Sequence, residues 1–269
     1  MKVDLHIHST ASDGDLPPRE VVARARAGGL DVIAIADHDT AAGVPEAVMA
    51  AGEDVVVIPA IELSARHRDR DLHILGYFVD PAAPAMLAYA SRARQAREDR
   101  VHAMIGRLSA LNVSVDFTAV LEEAGPDAHT LARPHLARAM LAAGHVASVA
   151  EAFDRYIGDD GPAFVATDLL DVPGAIGLIH DAGGLAVWAH PPLPLLAALP
   201  DFVAAGLDGL ECHRPRVGPA DLNRLLNKAR DHGLLVTGGS DWHGHWHGDL
   251  GTFHVGRGDV GAFLERGGI

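Results

Sequence analysis

The sequence predicts an α/β protein: a barrel-like β/α body interrupted by a helical insertion. Three observations carry that prediction. Short apolar runs alternate with helical patterns at both ends of the chain. Between about Pro84 and Phe164 the strand signals give way to helical periodicity. Histidines and carboxylates stand where the apolar runs end, which is where β/α barrels build their sites.

The elements follow in order. Lys2–His8 reads as the first strand, and Pro17-Pro18 opens a helix that runs to Ala27 and stops at Gly28-Gly29. Val32–Ala36 is the second strand, Val55–Ile61 the third and Leu72–Phe78 the fourth. Met86–Leu111 fits one long helix, whose Arg92, Arg94, Arg97, Arg100 and Arg107, interleaved with Glu98 and Asp99, predict a solvated face. Shorter helices are expected at Phe117–Glu123, Pro134–Ala143 and Val149–Ile157. The alternation resumes with helix Val172–Ala182, strand Leu185–Ala189, a helix around Leu196–Ala205 and strand Leu207–Glu211. Helix Ala220–His232 and strand Leu235–Gly239 complete it. The expected division is a barrel of residues 1–84 and 165–269, with 85–164 as an inserted helical subdomain that caps the substrate.

Composition narrows the function. A net charge of -14 argues against nonspecific or stable double-stranded nucleic-acid binding. No apolar run approaches the ~20 residues of a membrane span. The N-terminus enters a strand with no basic n-region or cleavage site, so a cytoplasmic location is expected. Cys212 is the only cysteine, which rules out an intrachain disulfide and a cysteine metal cluster. It also lies outside any Cys-x5-Arg phosphate loop, which argues against a cysteine nucleophile. Oligomeric state is not legible in the sequence.

The chemistry begins at Asp4-Leu5-His6-Ile7-His8. In a strand, alternate residues share a face, so His6 and His8 can converge on one divalent ion. Alone, the pattern equally describes a half-buried strand with two hydrogen-bonded histidines. Asp13 lies in the loop beyond, His38 follows strand two, Glu62 follows strand three and His73 lies on strand four. His190 follows Leu185–Ala189, and Asp241 and His243 follow the last strand. Together they exceed what one tetrahedral ion needs, so a cluster of two or three ions is expected, with the two oxygens of Glu62 suited to bridge. Mixed imidazole and carboxylate donors suit zinc, manganese or iron better than magnesium. Asp4, Asp37 and Asp39 are read as carboxylates that orient ligand rings, and His245, His247 and His254 as exposed surplus.

These residues stand in motifs: Asp4-Leu5-His6-Ile7-His8-Ser9-Thr10, Ser12-Asp13-Gly14, Ala36-Asp37-His38-Asp39-Thr40, Glu62-Leu63-Ser64, His73-Ile74-Leu75-Gly76-Tyr77, Ala189-His190-Pro191 and Gly239-Ser240-Asp241-Trp242-His243. In combination they resemble the PHP (polymerase and histidinol phosphatase) family across nearly the whole chain. Leu131–Ala139, with its Arg133-Pro134-His135 core, and Ala152–Gly158 are similar to the nucleoside 3′,5′-bisphosphate phosphatase and 5′–3′ exoribonuclease group. Two positions depart from that group: Val217, where histidine is frequent, and Val165-Ala166-Thr167, where a basic residue is frequent.

The resemblance implies a distorted (β/α)7 barrel with a trinuclear centre. His6, His8, Glu62 and Asp241 would hold one ion, Asp13, His38 and His243 a second, and Glu62, His73 and His190 a third. It implies a phosphoesterase in which a hydroxide bridged by ions ~3.5–4 Å apart attacks phosphorus without a covalent intermediate. Arg133 and His135, at a helix N-terminus, are expected to grip a substrate phosphate, and Arg214 and Arg216 a second one. The expected substrate is a small phosphorylated molecule: a nucleoside 3′,5′-bisphosphate or a short RNA 5′ end. Histidinol-phosphate phosphatase and a non-catalytic metal-holding module are the alternatives. An amidohydrolase bridged by a carbamylated lysine is excluded, because the only lysines, Lys2 and Lys228, do not lie at suitable strand ends.

Overall fold

Strand pairing in the computed structural model, which describes residues 1–68, 70–166, 170–244 and 248–269, runs around a barrel. β1 (Lys2–Ile7), β2 (Val32–Ile35) and β3 (Val56–His67) are parallel neighbours. β4 (Arg70–Tyr77) returns antiparallel along β3 and pairs antiparallel with β6 (Leu185–Trp188). β7 (Gly209–His213) and β8 (Leu235–Gly238) continue in parallel. The ring closes where Ile7 bridges Trp242 and the His8 N–H donates to the Trp242 carbonyl at 2.9 Å.

The reversal of β4 matters for the site. In a parallel strand the rim residue comes at the carboxyl end; in β4 it comes near the amino end. His73 therefore faces Ser64 of β3 and reaches the same rim as Glu62. β3 overshoots the expected end at Ile61 to build this hairpin.

Helices cover the outside. α1 (Pro18–Ala27) and α2 (Val44–Ala51) pack on Ile33 and Ile35. α7 (Val172–Asp181), α8 (Leu199–Ala204) and α9 (Pro219–Asp231) cover the other side around Ile74, Trp188 and Leu210. The expected helix near Leu196 is a 3-10 turn at Leu193–Ala198 followed by α8. The pattern missed α2, α10 (Arg257–Arg266), β5 (Leu170–Asp171, paired with β3) and β9 (Val255–Gly256, paired with β1). Two-residue strands carry no periodicity, α2 is mostly small apolar residues, and α10 contains Gly258 and Gly261, poor helix formers.

From 84 to 157 the described structure is helical: α3 (Pro84–Ala110), α4 (Phe117–Ala124), α5 (Arg133–Ala142), α6 (Val149–Ala152) and a π turn at Phe153–Ile157. α3 serves two cores. Its first half gives Met86, Tyr89 and Ala93 to the barrel; its second half gives Val101, Met104 and Leu108 to a cluster with Val120, Leu136, Met140 and Ile157. Its buried positions recur every three or four residues, and Arg97 occupies one of them.

Candidate metal centre

Close backbone approach sets the geometry of the rim. A Cβ on Gly239 would lie 2.3 Å from the His6 Cβ, so only glycine lets the end of β8 meet β1. A Cβ on Gly14 would lie 2.6 Å from the His8 carbonyl oxygen, so glycine also lets the Asp13 loop fold back. Asp39, His190 and Asp241 adopt φ of 54°, 29° and 54°. Such conformations are costly for side-chain-bearing residues and cluster where function requires them.

Glu62 stands at the centre, fully buried. Its Oε1 lies 2.9 Å from His190 Nε2, 3.1 Å from His73 Nδ1 and 3.4 Å from His6 Nε2. Its Oε2 lies 2.9 Å from His38 Nδ1 and 3.4 Å from His8 Nε2. His6 Nε2 and His8 Nε2 are 3.1 Å apart, and Asp241 Oδ1 lies 3.4 and 3.3 Å from them. Donors about 2.0–2.1 Å from a tetrahedral ion lie about 3.3 Å from one another, which matches these spacings. Asp13 approaches His243 Nε2 at 3.5 Å, His8 Nδ1 at 3.7 Å and His38 Nε2 at 3.9 Å.

The rim thus brings together all of the sequence-predicted ligand candidates. Donor atoms converge in three overlapping groups: His8, Asp13, His38 and His243; His6, His8 and Asp241; and His38, Glu62 and His73. His190 joins the last through Glu62 and through His73 Nδ1 at 3.2 Å. The donor set fits a cation on a second count. Among the described residues His8 Nδ1 is buried without a hydrogen-bond partner, and His38 Nδ1 and Glu62 Oε2, 2.9 Å apart, have only each other; buried polar atoms are rarely left so poorly matched.

Electrostatics point the same way. Burial alone would raise Glu62, yet His73, His38 and His6 hold it well below the usual carboxylate range. Burial also opposes the charges of Asp241 and Asp13, and neighbouring rings hold both down. His8 is pushed down to about 3 by burial and by His243, so its ring is neutral. His38, against the pull of burial, is raised to about 9 by Glu62 and Asp13. Anionic carboxylates and a neutral ring are the forms that bind metal, and a protonated His38 carries positive charge where a cation would replace it.

The supporting carboxylates differ from expectation. Asp4 accepts the backbone N–H groups of Ser240 and His6 at 2.8 and 3.3 Å. Asp37 takes the Ser9 N–H and the Ser9 and Ser12 hydroxyls, all at 2.7 Å, and so shapes the loop that carries Asp13. Asp39 takes the Ser64 N–H, the Tyr89 hydroxyl and Arg97 Nε at 2.7, 2.5 and 2.6 Å. These carboxylates serve backbone, hydroxyls and a guanidinium rather than rings. The carboxylate that orients a ring is Glu211, which sequence reasoning missed. His6 Nδ1 lies 3.0 Å from Glu211 Oε1, and the His190 N–H donates to Oε2 at 2.6 Å. One side chain holds a ring on β1 and the strained backbone after β6. The signal was present: Glu211 ends an apolar run as Glu62 does.

Two cavities flank the cluster. One, of about 190 Å³, is lined by Asp13, His38, His73 and His243 together with Asp71, Arg97, Arg100 and Arg133. Arg133 bonds Asp159 at 2.7 Å and packs over Phe153 and Phe164. Arg97 and Arg100 correct the expectation of a solvated α3. Arg97 is buried and also bonds the Leu131 carbonyl and Ser64; Arg100 pairs with Asp71 at 3.2 Å. His135 takes a structural role at the start of α5. It is buried, and its Nδ1 accepts the Ala132 N–H at 3.1 Å, which closes the first turn of α5. The second cavity, of about 250 Å³, is lined by His190, Asp241, Arg214, Arg216, Trp242 and Phe253 among others. Among the described residues Arg214 Nε is buried without a partner. His254 is exposed; His245, His247 and Thr167 lie outside the described residues.

Comparison with known proteins gives concordant results. Residues 4–106 match the family described as PHP domain. The chain is 36% identical over 259 residues to a 5′-3′ exoribonuclease of Haemophilus influenzae, covering 90% of each. It is 31% identical over 260 residues to a 3′,5′-nucleoside bisphosphate phosphatase of Chromobacterium violaceum, covering 94% of this chain and 91% of that one. A solved structure described as a metal-dependent phosphoesterase, from Bifidobacterium adolescentis, superposes with a TM-score of 0.82 at 33% identity, covering 96% of this chain and 91% of that one.

Proposed function

This chain belongs to the PHP-domain family of metal-dependent hydrolases, and we propose that it releases phosphate from nucleoside 3′,5′-bisphosphates or short RNA 5′ ends. The observation that carries this reading is the 190 Å³ cavity, whose lining joins metal-ligand candidates to guanidinium groups. That pairing suits a phosphate ester with more than one anionic group.

Two or three manganese, zinc or iron ions would be held by His6, His8, Glu62 and Asp241, by Asp13, His38 and His243, and by Glu62, His73 and His190. When bound, such ions polarise phosphoryl oxygens and make a nucleophile available near neutral pH. The remaining work falls to the chain. Arg133 orients a substrate phosphate, and Arg214 and Arg216 meet the substrate on the other side of the cluster. Helices 85–164 cap the barrel of 1–84 and 165–269 and exclude water from the reacting group. Cys212 takes no part: it is buried and its thiol is pushed up to about 12, mainly by burial, which supports hydrolysis without a cysteinyl intermediate. Among the described residues no helix is long and apolar enough to cross a membrane, and a cytoplasmic location is part of this reading.

The test is phosphate release by manganese-loaded protein from adenosine 3′,5′-bisphosphate, a short 5′-phosphorylated RNA and histidinol phosphate. Turnover of either of the first two supports the reading. Turnover of histidinol phosphate alone would replace the substrate, and no hydrolysis by metal-loaded protein would indicate a module that only holds metal. Replacing Arg133 with alanine should raise KM for the bisphosphate far more than for an aryl phosphate; equal effects would remove Arg133 from substrate binding.

A further inference from the structure

The helical insertion is bonded to the loops that carry Asp13 and His38. Between α4 and α5 the chain passes them as a short strap, His129–Ala132, and every residue of the strap makes a bond. The His129 N–H donates to the Ala11 carbonyl at 2.8 Å. The Thr130 hydroxyl donates to the His38 carbonyl at 3.0 Å, across 92 positions of sequence. The Leu131 carbonyl accepts from Arg97, which also holds Asp39. The Ala132 N–H donates to His135, whose ring also bonds the Ser12 backbone beside Asp13.

The Thr130 bond is the one that meets a metal-ligand candidate directly. Where β2 ends, its backbone pairs with Glu62 of β3. The Glu62 N–H donates to the Asp37 carbonyl at 3.1 Å, and the Asp39 N–H donates to the Glu62 carbonyl at 2.9 Å. The residue between them turns its own polar groups away from such a parallel ladder, so the His38 carbonyl lies outside it. Thr130 takes that carbonyl from the side of the insertion. The peptide joining His38 to Asp39 is therefore held at both ends, its N–H by β3 and its carbonyl by the strap. Asp39, with φ of 54°, adopts a conformation that the backbone does not favour unaided, so the turn depends on such partners. Thr130 is 2% exposed, which shields its bond from competing water. Its neighbour Leu131 packs in the core of the insertion with Val101 and Leu136, and so sets where the hydroxyl stands.

We infer that Thr130 is a positioning residue for the ion of Asp13, His38 and His243, and that the insertion sets the strength of that ion's site through it. The hydroxyl offers the ion no donor. It acts through the His38 backbone, by fixing the Cα from which the ring reaches Asp13 and Glu62. Among the described residues the strap makes no bond to His6 or Asp241, so the ion of His6, His8, Glu62 and Asp241 should be insensitive to it. This inference rests on the metal-centre reading and adds to it a link between cap and metal.

The test removes the hydroxyl in two ways and keeps it in a third. Thr130→Val retains a similar shape, Thr130→Ala removes the side chain beyond Cβ, and Thr130→Ser retains the hydroxyl. Metal-stripped wild type and variants are titrated with manganese, counting ions bound per chain. Anomalous scattering from manganese-soaked crystals then gives the occupancy of each position. Thr130→Val and Thr130→Ala should weaken one binding step by about 10–100-fold, as for other groups that orient a ligand. Occupancy should fall beside Asp13 and His243 and hold beside His6 and Asp241. Thr130→Ser should return that step to the wild-type value. Either hydroxyl-free variant suffices if the other does not fold. No weakening, equal weakening of every step, or the same loss in Thr130→Ser would mean that Thr130 only holds the fold, and would overturn the inference alone. Wild type that binds no manganese would overturn the metal-centre reading and this inference with it.

Discussion

Two buried polar regions lie side by side in this molecule and treat their charges in opposite ways. Behind the rim, Arg97, Asp39, Tyr89 and Ser64 form a matched set: the guanidinium bonds the carboxylate, a carbonyl and a hydroxyl, and the carboxylate also takes an N–H and the tyrosine O–H. At the rim, Glu62 is surrounded by five imidazoles, and among the described residues the buried His8 Nδ1 has no hydrogen-bond partner. A matched set is scaffold; the less matched and more open one, with His73 and His190 partly exposed, has the donor set of a cation site. The difference separates residues that hold the site from residues that use it.

Substitutions can break that comparison, beginning with the largest effect. Glu62→Gln should abolish phosphate release, a loss beyond the roughly 10–100-fold typical of outer support residues, and should lower the number of ions bound. Steady-state assay and metal analysis together check this. Arg97→Met should act on the fold instead. It strands the buried Asp39 charge and should cost about 3–5 kcal/mol in denaturant titration of metal-free protein, most of it recovered by adding Asp39→Asn. Glu211→Gln tests the boundary between the regions. It keeps the shape but not the charge behind His6, so affinity for manganese should fall by about 10–100-fold with little loss of stability. Arg19→Ala, in an exposed pair with Glu46, should move stability by no more than about 1 kcal/mol.

The same contrast explains what could be read from the sequence. Ligand candidates were legible because a strand gives one position per rim, and His, Asp or Glu at the end of an apolar run has few structural reasons to be there. His38, Glu62 and His190 follow that rule, and His73 fits it once the antiparallel β4 is seen. The network was not legible as a network, since Arg97 meets Asp39 across 58 positions of sequence. Its burial did leave a trace: Arg97 sits in step with Ala93, Val101 and Met104 on the buried stripe of α3. Reading all the α3 arginines as one solvated face overlooked that phase. His135 adds a role that the motif did not reveal, because a histidine at a helix start can cap the helix as well as touch a ligand. Asp4, Asp37 and Asp39 were correctly placed near the rim, but their partners depended on tertiary turns that no local pattern encodes.

The central claim is that the less matched rim cluster is a cation site on which phosphate release depends. The direct test is to strip the wild-type protein with a chelator and titrate manganese back, following ions bound per chain and phosphate released from adenosine 3′,5′-bisphosphate. Release should be absent in the stripped protein and return in step with occupancy, while Glu62→Gln shows neither full occupancy nor recovery. Undiminished release from protein holding less than one ion per chain would contradict it.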